Sequence, residues 1–123
     1  MVYGDKYQIQ RHEELELVRT FSQTSIHIAI FISGAIVTPF FEELLFRGMI
    51  QSAVRSYVVR PWPAILISAG IFMMVHSPAH WPAVFVLGVL MGYAYEKSGS
   101  LFRPMLIHTL FNGMTILIAI SRN

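Results

Sequence analysis

Long apolar runs separated by short polar breaks run along this chain at helix-length intervals. The first twenty residues are the exception, with Asp5, Lys6, Arg11, Glu13, Glu14, Glu16 and Arg19 crowded together. Glu13 to Arg19, with Leu15, Leu17 and Val18 on its apolar side, predicts an amphipathic surface helix. A first span starts near Phe21, is apolar with small residues from Ile26 to Val37, meets Pro39, and resumes through Arg47 to about Tyr57. A proline there kinks a helix or starts a new one. A second span runs from Pro61 to about Val75 and ends near His76, because Pro78 disfavours a helical Ser77. A third runs from about Pro82 to Ala94 and holds Gly88 and Gly92 at the spacing that lets helices approach closely. A turn at Gly99 leads to a fourth, from about Arg103 or Pro104 to Ile120.

Only helices suit this pattern. Strands would leave open edges in lipid, and the alternation of a barrel is missing. The expected fold is therefore all-α: a multi-pass membrane helical bundle of about four spans with polar chemistry in its interior. It divides into a polar lead-in, 1–20, and a membrane domain, 21–123. The second and third spans fall short of the roughly 20 residues that a ~30 Å hydrocarbon core requires, so local thinning or incomplete spanning is expected.

Composition sharpens this reading. Of 123 residues, 54% are hydrophobic and 13% charged, about half the charge of a typical soluble domain. The net charge of +2 is not arranged as a basic stripe, which argues against nucleic acid as a partner. Cysteine is absent, excluding a disulfide framework, a thiolate zinc site and a cysteine nucleophile. The N-terminus lacks a basic-then-apolar signal pattern. Arg55, Arg60, Lys97 and Arg103 lie in the first–second and third–fourth loops, whereas the second–third loop has no base; the former are expected to be cytoplasmic.

Against this background six residues stand out: Glu42, Glu43, Arg47, His76, His108 and Asn112. A charge at a bilayer centre costs about 2.5–3.5 kcal/mol on insertion scales, and intramembrane ionisable residues are functional by default. Glu43 and Arg47 are four apart, share a helix face and can pair. Glu42 points about 100° away and has Phe46, not a cation, at i+4. The doublet thus reads as one structural acid and one base, or as an ion pair that only fixes packing. His76, four after Phe72, is the ordinary general acid/base type or a hydrogen-bonded helix contact. His80 at i+4 invites a metal pair, but Pro78 between them spoils the shared face. His108 and Asn112, also four apart, can aim two donors at one point as an oxyanion hole, or serve as interhelical glue worth about 0.6 kcal/mol. His12 and His27 have no companions.

Counting along helices, Glu42 and His76 each lie fifteen residues, ~22 Å, from the first–second loop, whereas His108 falls ~14 Å short of that depth. The chain has no HExxH, its only Asp is Asp5, and no Ser sits in a GxSxG-like setting. These absences exclude site-two metalloprotease, aspartyl-dyad and nucleophile-elbow chemistry.

Glu42-Glu43-x3-Arg47, Phe72-x3-His76 and His108-x3-Asn112 resemble, in order and spacing, the EExxxR, FxxxH and HxxxN signatures of the CAAX-protease and bacteriocin-processing (CPBP, or Abi) family. The resemblance runs from about Thr38 to Asn112 and includes Leu87-Gly88-x3-Gly92 and Lys97-Ser98-Gly99-Ser100-Leu101. It implies an intramembrane endopeptidase acting on a membrane-associated protein, prenylated and CAAX-like or leader-bearing. Glu42 and His76 would activate the attacking water, His108 and Asn112 would stabilise the oxyanion, and Glu43 and Arg47 would support the site. It implies a glutamate-type mechanism with no cofactor, zinc being the alternative, in a multi-pass protein of a prokaryotic cell membrane. A second copy is expected to dock on the Gly88/Gly92 face. Family members usually carry further spans upstream, for which this chain has no room; a minimal member, a truncated product or part of an oligomer is expected. A non-catalytic scaffold or bacteriocin-immunity or sorting factor is the alternative function, and a small ion-binding bundle the third.

Overall fold

The computed structural model describes the backbone of residues 2–122 and the side chains of residues 13–122. The polar side chains expected at Asp5, Lys6 and Arg11, and His12 with them, lie outside the described side chains.

The lead-in and the first span form one unbroken helical run. It comprises α1 (Val2–Ile32), a π-helical segment Ser33–Val37, α2 (Thr38–Glu43), a second π segment Leu44–Gln51, and α3 (Ser52–Tyr57). Pro39 does not start a new helix, and the chain stays helical on both sides of it, with Val37 at φ −68, ψ −50. Proline cannot donate to the carbonyl four residues back and its ring crowds that turn. The wider π turn directly before it supplies the room, as single π turns do at such interruptions. The run ends where Val58 turns extended (φ −125, ψ 139).

The other helices are α4 (Pro61–Met74), α5 (Trp81–Ser98) and α6 (Phe102–Ser121), with a short 3₁₀ turn Pro78–His80 between α4 and α5. Pro61 opens α4 at a position where its missing N–H costs nothing. Gly99 closes α5 in the left-handed conformation at φ 63, where a side chain would be strained. α5 is 18 residues long, about 27 Å at 1.5 Å per residue, so the third span reaches further than its apolar core suggested. α4, with 14 residues, remains short at about 21 Å.

The N-terminal run is the spine of the bundle. α5 lies parallel to it, with Arg47 beside Gly88, Gln51 beside Gly92 and Arg55 beside Glu96. α6 packs antiparallel, with Leu101 beside Gly48 and Ile116 beside Gly34. α4 packs antiparallel on α5. A Cβ on Gly88 would stand 3.1 Å from the Ala69 Cβ, and one on Gly92 would stand 3.1 Å from Ile65 Cγ2. Both glycines are buried. The Gly88/Gly92 face, expected to receive a second copy, is therefore taken up inside the chain by α4 and the spine. Phe46, Phe72, Leu87 and Met91 form the core cluster.

The outside of the bundle is apolar. Ile28, Ile30, Leu66, Ile67, Val86, Leu90, Leu110 and Leu117 are all exposed. Among the described residues two helices are long and apolar enough to cross a membrane, Glu13–Tyr57 and Phe102–Ser121, and only 17% of either apolar window is buried. A core helix of a soluble protein would hide that surface, whereas a lipid-facing helix presents it. The chain is an all-α membrane helical bundle, with two of the four expected spans reaching crossing length on apolar composition.

Candidate active site

Four charged or titratable side chains meet where α2, the second π segment and α6 come together. Glu43, the last residue of α2, accepts hydrogen bonds at Oε1 from Arg47 Nη1 at 3.0 Å and from His108 Nδ1 at 2.7 Å. Glu43 and Arg47 side chains are 0% exposed. Arg47 donates its other terminal nitrogen to the Gly88 carbonyl at 2.7 Å. A charge in such a place is tolerable only with partners of this quality.

Glu42 differs. Its side chain is 27% exposed, and its Oε2 stands 3.4 Å from His108 Nε2. The His108 ring therefore bridges the adjacent glutamates, with one nitrogen towards each. The helical step of about 100° sends Glu43 towards Arg47 and the core and Glu42 towards the edge of the bundle.

Phe72 holds the site together as an aromatic floor. The Arg47 guanidinium lies over its ring at 5.0 Å, a contact worth about 2 kcal/mol when desolvated. Phe46 and His108 meet the ring edge-on at 5.0 and 5.6 Å between centroids. The His76 ring lies 4.5 Å from it, tilted by 55°. His76 sits two residues past the end of α4 and is half-buried. Its Nδ1 is 2.7 Å from the Phe72 carbonyl. A carbonyl only accepts, so Nδ1 carries the hydrogen and a neutral ring keeps its Nε2 lone pair free. Trp81 Nε1 donates to the His76 carbonyl at 3.0 Å and ties down the bend.

Asn112 lies one turn further along α6 from His108 and is half-buried. Its Nδ2 donates to the Gly34 carbonyl in the first π segment at 3.1 Å. His108 and Asn112 thus share a face of α6, as their spacing predicts, but they reach different partners on the spine. His80 is exposed in the 3₁₀ turn, and no group of three or more His, Asp or Glu suited to a metal ion occurs among the described residues.

The ~14 Å depth mismatch expected for His108 disappears because α6 starts beside Gly48 rather than Tyr57. Leu101 Cδ1 is 3.6 Å from where a Gly48 Cβ would be. Nine residues separate Gly48 from Tyr57, about 14 Å of helix.

Sequence reasoning missed a second polar layer next to this site. Gln51 Nε2 donates to the Gly92 carbonyl at 3.0 Å and lies 3.4 Å from Glu96 Oε1. Arg55 Nε pairs with Glu96 Oε2 at 3.3 Å. Ser68 donates to the Phe46 carbonyl at 2.8 Å, and Ser52 shares a hydrogen bond with the Tyr95 hydroxyl at 2.9 Å. The available signal was the four-residue repeat Glu43, Arg47, Gln51, Arg55 on one helix face. Four buried atoms form no hydrogen bond within the described chain: Glu42 Oε2, Glu43 Oε2, Arg47 Nε and Gln51 Oε1.

The chain matches the type II CAAX prenyl endopeptidase Rce1-like family over residues 24–114, which takes in all three signatures. It is 32% identical over 97 residues to the uncharacterized protein YpbD of Bacillus subtilis, covering 78% of this chain and 48% of that protein. It is 30% identical over 99 residues to an uncharacterized 24.3 kDa protein of Escherichia coli, covering 75% of this chain and 46% of the relative. It is 32% identical over 91 residues to the UPF0177 protein YxdF of Lactococcus lactis, covering 70% and 49%. The chain spans about half the length of these curated relatives. No solved structure matches it. With the signatures, the bundle and the residues matched in agreement, the chain belongs to the Rce1-like family of type II CAAX prenyl endopeptidases.

Proposed function

We propose that this protein is an intramembrane endopeptidase that hydrolyses a peptide bond in a membrane-associated protein, with Glu42 as the base. The observation that carries this reading is the inequality of the two glutamates. Glu43 is closed in by Arg47 and His108, whereas Glu42 is part-exposed and held from one side only.

In this mechanism a water lies against Glu42, with His76 Nε2 accepting its second hydrogen. Glu42 takes a proton as the water oxygen attacks the carbonyl carbon of the scissile bond. The tetrahedral oxyanion receives a hydrogen bond from the Asn112 amide hydrogen that Gly34 leaves unused. Collapse breaks the C–N bond, and the proton on Glu42 passes to the leaving amine. His108, with a nitrogen towards each glutamate, orients Glu42 and ties it to the buried Glu43–Arg47 pair. Its expected part in the oxyanion hole then falls to Asn112. No cofactor is needed for these steps.

The proposed substrate is a prenylated CAAX-like or leader-bearing protein presented by the bilayer of a prokaryotic cell, with four helices embedded. Cleavage of a prenylated peptide by purified protein in detergent tests this reading. Cleavage that disappears in Glu42→Gln, with extraction and thermal unfolding unchanged, supports it; equal cleavage by that variant overturns it. A non-catalytic scaffold is the second reading. It is favoured by one observation: Glu43, Arg47, Arg55 and Glu96 all have partners within the chain, as a packing network requires.

A further inference from the structure

Away from the catalytic groups, a cleft of about 530 Å³ opens where α3 ends, α4 begins and α5 ends. Its floor is the buried Ile65, and its walls are Trp62, Tyr93, Arg55, Glu96 and Lys97. We propose that this cleft binds the phosphate-bearing headgroup of an anionic membrane lipid.

The charge at the cleft is cationic and partly uncommitted. Arg55 Nε neutralises Glu96, the one acid in the wall, at 3.3 Å. Arg55 Nη1 donates to the Val58 and Val59 carbonyls at 2.7 and 2.9 Å. These bonds fix the guanidinium at the rim with Nη2 left over. Lys97 is exposed and forms no salt bridge among the described residues; its ammonium lies 5.7 Å from the Tyr93 ring centroid. Trp62 and Tyr93 are stacked, 6.0 Å apart at 24°. A guanidinium edge and an ammonium above paired aromatic rings suit a phosphodiester oxygen, with the rings walling the glycerol region.

Position selects a lipid over a soluble anion. The cleft lies where apolar helices give way to charge, the depth at which Trp and Tyr gather in membrane proteins. Trp62 is 50% and Leu66 46% exposed, and they continue from the cleft onto the apolar outer face. An acyl chain can follow that path, which a free phosphate would not use. Basic residues near an anionic leaflet gain binding energy from its surface potential, so the site would favour anionic lipids over zwitterionic ones.

The test uses full chain reconstituted in vesicles of equimolar phosphatidylcholine and phosphatidylglycerol, extracted gently, with retained lipid classed by native mass spectrometry. Retention of phosphatidylglycerol over phosphatidylcholine is expected. It should fall about five-fold in Lys97→Gln and return in Lys97→Arg. Arg103→Gln, which removes an exposed base outside the cleft, should leave retention unchanged. Equal losses in Lys97→Gln and Arg103→Gln would reduce the effect to general surface charge and overturn the site. Thermal stabilisation by inorganic phosphate equal to that by phosphatidylglycerol, or displacement of the lipid by a peptide with a free C-terminal carboxylate, would overturn the lipid assignment. None of these readouts depends on peptidase activity.

Discussion

The two sides of the spine helix use polar residues in opposite ways. Towards α5, Arg47, Gln51 and Arg55 form a ladder on Gly88, Gly92 and Glu96. The rungs repeat every four residues on both helices, and the acceptors at the two deeper rungs are backbone carbonyls bared by glycine. Towards α6 and the end of α4 the polar groups are fewer and less closed in. Glu42 has one neighbour at 3.4 Å, His76 keeps a free Nε2, and Asn112 has spent one of its two amide hydrogens. The deeper closed side can hold charge in lipid because Glu43 and Arg47 are fully buried and paired, and the atoms it leaves unbonded, Glu43 Oε2, Arg47 Nε and Gln51 Oε1, are out of reach of a substrate. On the open side Glu42, His76 and Asn112 are part-exposed, so their free groups can meet one, which chemistry requires.

The sharpest test of this contrast is to remove one charge on each side. Glu42→Gln keeps shape and removes the carboxylate proposed as the base. The cleavage rate should fall by about 10²–10⁴-fold, the usual contribution of a positioned general base, with folded yield unchanged. The measurement is turnover of a prenylated peptide alongside size-exclusion recovery. Loss of folded protein with Glu42→Gln would place Glu42 on the closed side and erase the distinction. Arg47→Ala should do the reverse. It strands Glu43 in the interior, and breaking a buried pair costs about 3–5 kcal/mol. Unfolding in detergent should show that loss, and a fully stable Arg47→Ala would mean that the ladder is dispensable.

Asn112→Ala probes the open side with less force. Removing one oxyanion donor costs about 10²–10³ in rate, whereas removing interhelical glue costs about 0.6 kcal/mol of stability. The expected result is a lower turnover with substrate binding intact. Turnover unchanged beside a small loss of stability would assign the amide to the Gly34 carbonyl alone.

How much of this was legible beforehand follows the range of each interaction. The Glu43–Arg47 pair was readable because i, i+4 spacing is a property of one helix. The divergence of Glu42 followed from the same geometry. The helices themselves were readable from apolar runs and prolines, apart from Pro39, whose crowding is absorbed by a π turn that no residue pattern announced. Partners across helices were not readable. His108 was known as a polar residue in a span, but its position against the two glutamates depends on where α6 starts. Hydropathy placed that start level with Tyr57, whereas Leu101 packs at Gly48. The ladder was missed because two of its three acceptors are main-chain carbonyls. Gly88 and Gly92 read as a packing face for another molecule, when the missing side chains bare carbonyls to Arg47 and Gln51.

That double use of glycine gives a milder way to disturb the closed side. In Gly88→Ala the new Cβ would stand 3.1 Å from the Ala69 Cβ and 3.2 Å from the Ala69 Cα. Backbone must shift, at about 1–3 kcal/mol for overpacking. The shift also moves the carbonyl that holds Arg47, so thermal stability should drop while a residual rate survives. Gly92→Ala meets side-chain ends only, Gln51 Oε1 at 2.9 Å and Ile65 Cγ2 at 3.1 Å, rather than backbone, and should cost less. A cost at Gly92 equal to or above that at Gly88 would show that the Gln51 rung, rather than close packing on α4, sets the tolerance.

The smallest effect expected is none at all, from exhaustive chelation. A catalytic zinc takes three protein ligands and leaves a position for water. Among the described residues no three His, Asp or Glu side chains stand together as such a set, and His108 Nε2 faces Glu42 at 3.4 Å. A metal site built from Glu42, His76 and His108 would have to open the His108 Nε2–Glu42 contact and gather the three side chains into a set they do not form here. The cleavage rate should therefore be the same before and after prolonged treatment with a strong chelator. A rate that vanishes with the chelator and returns with stoichiometric Zn²⁺ would mean that the open side closes around a metal. Glu42 would then be a ligand and not the base.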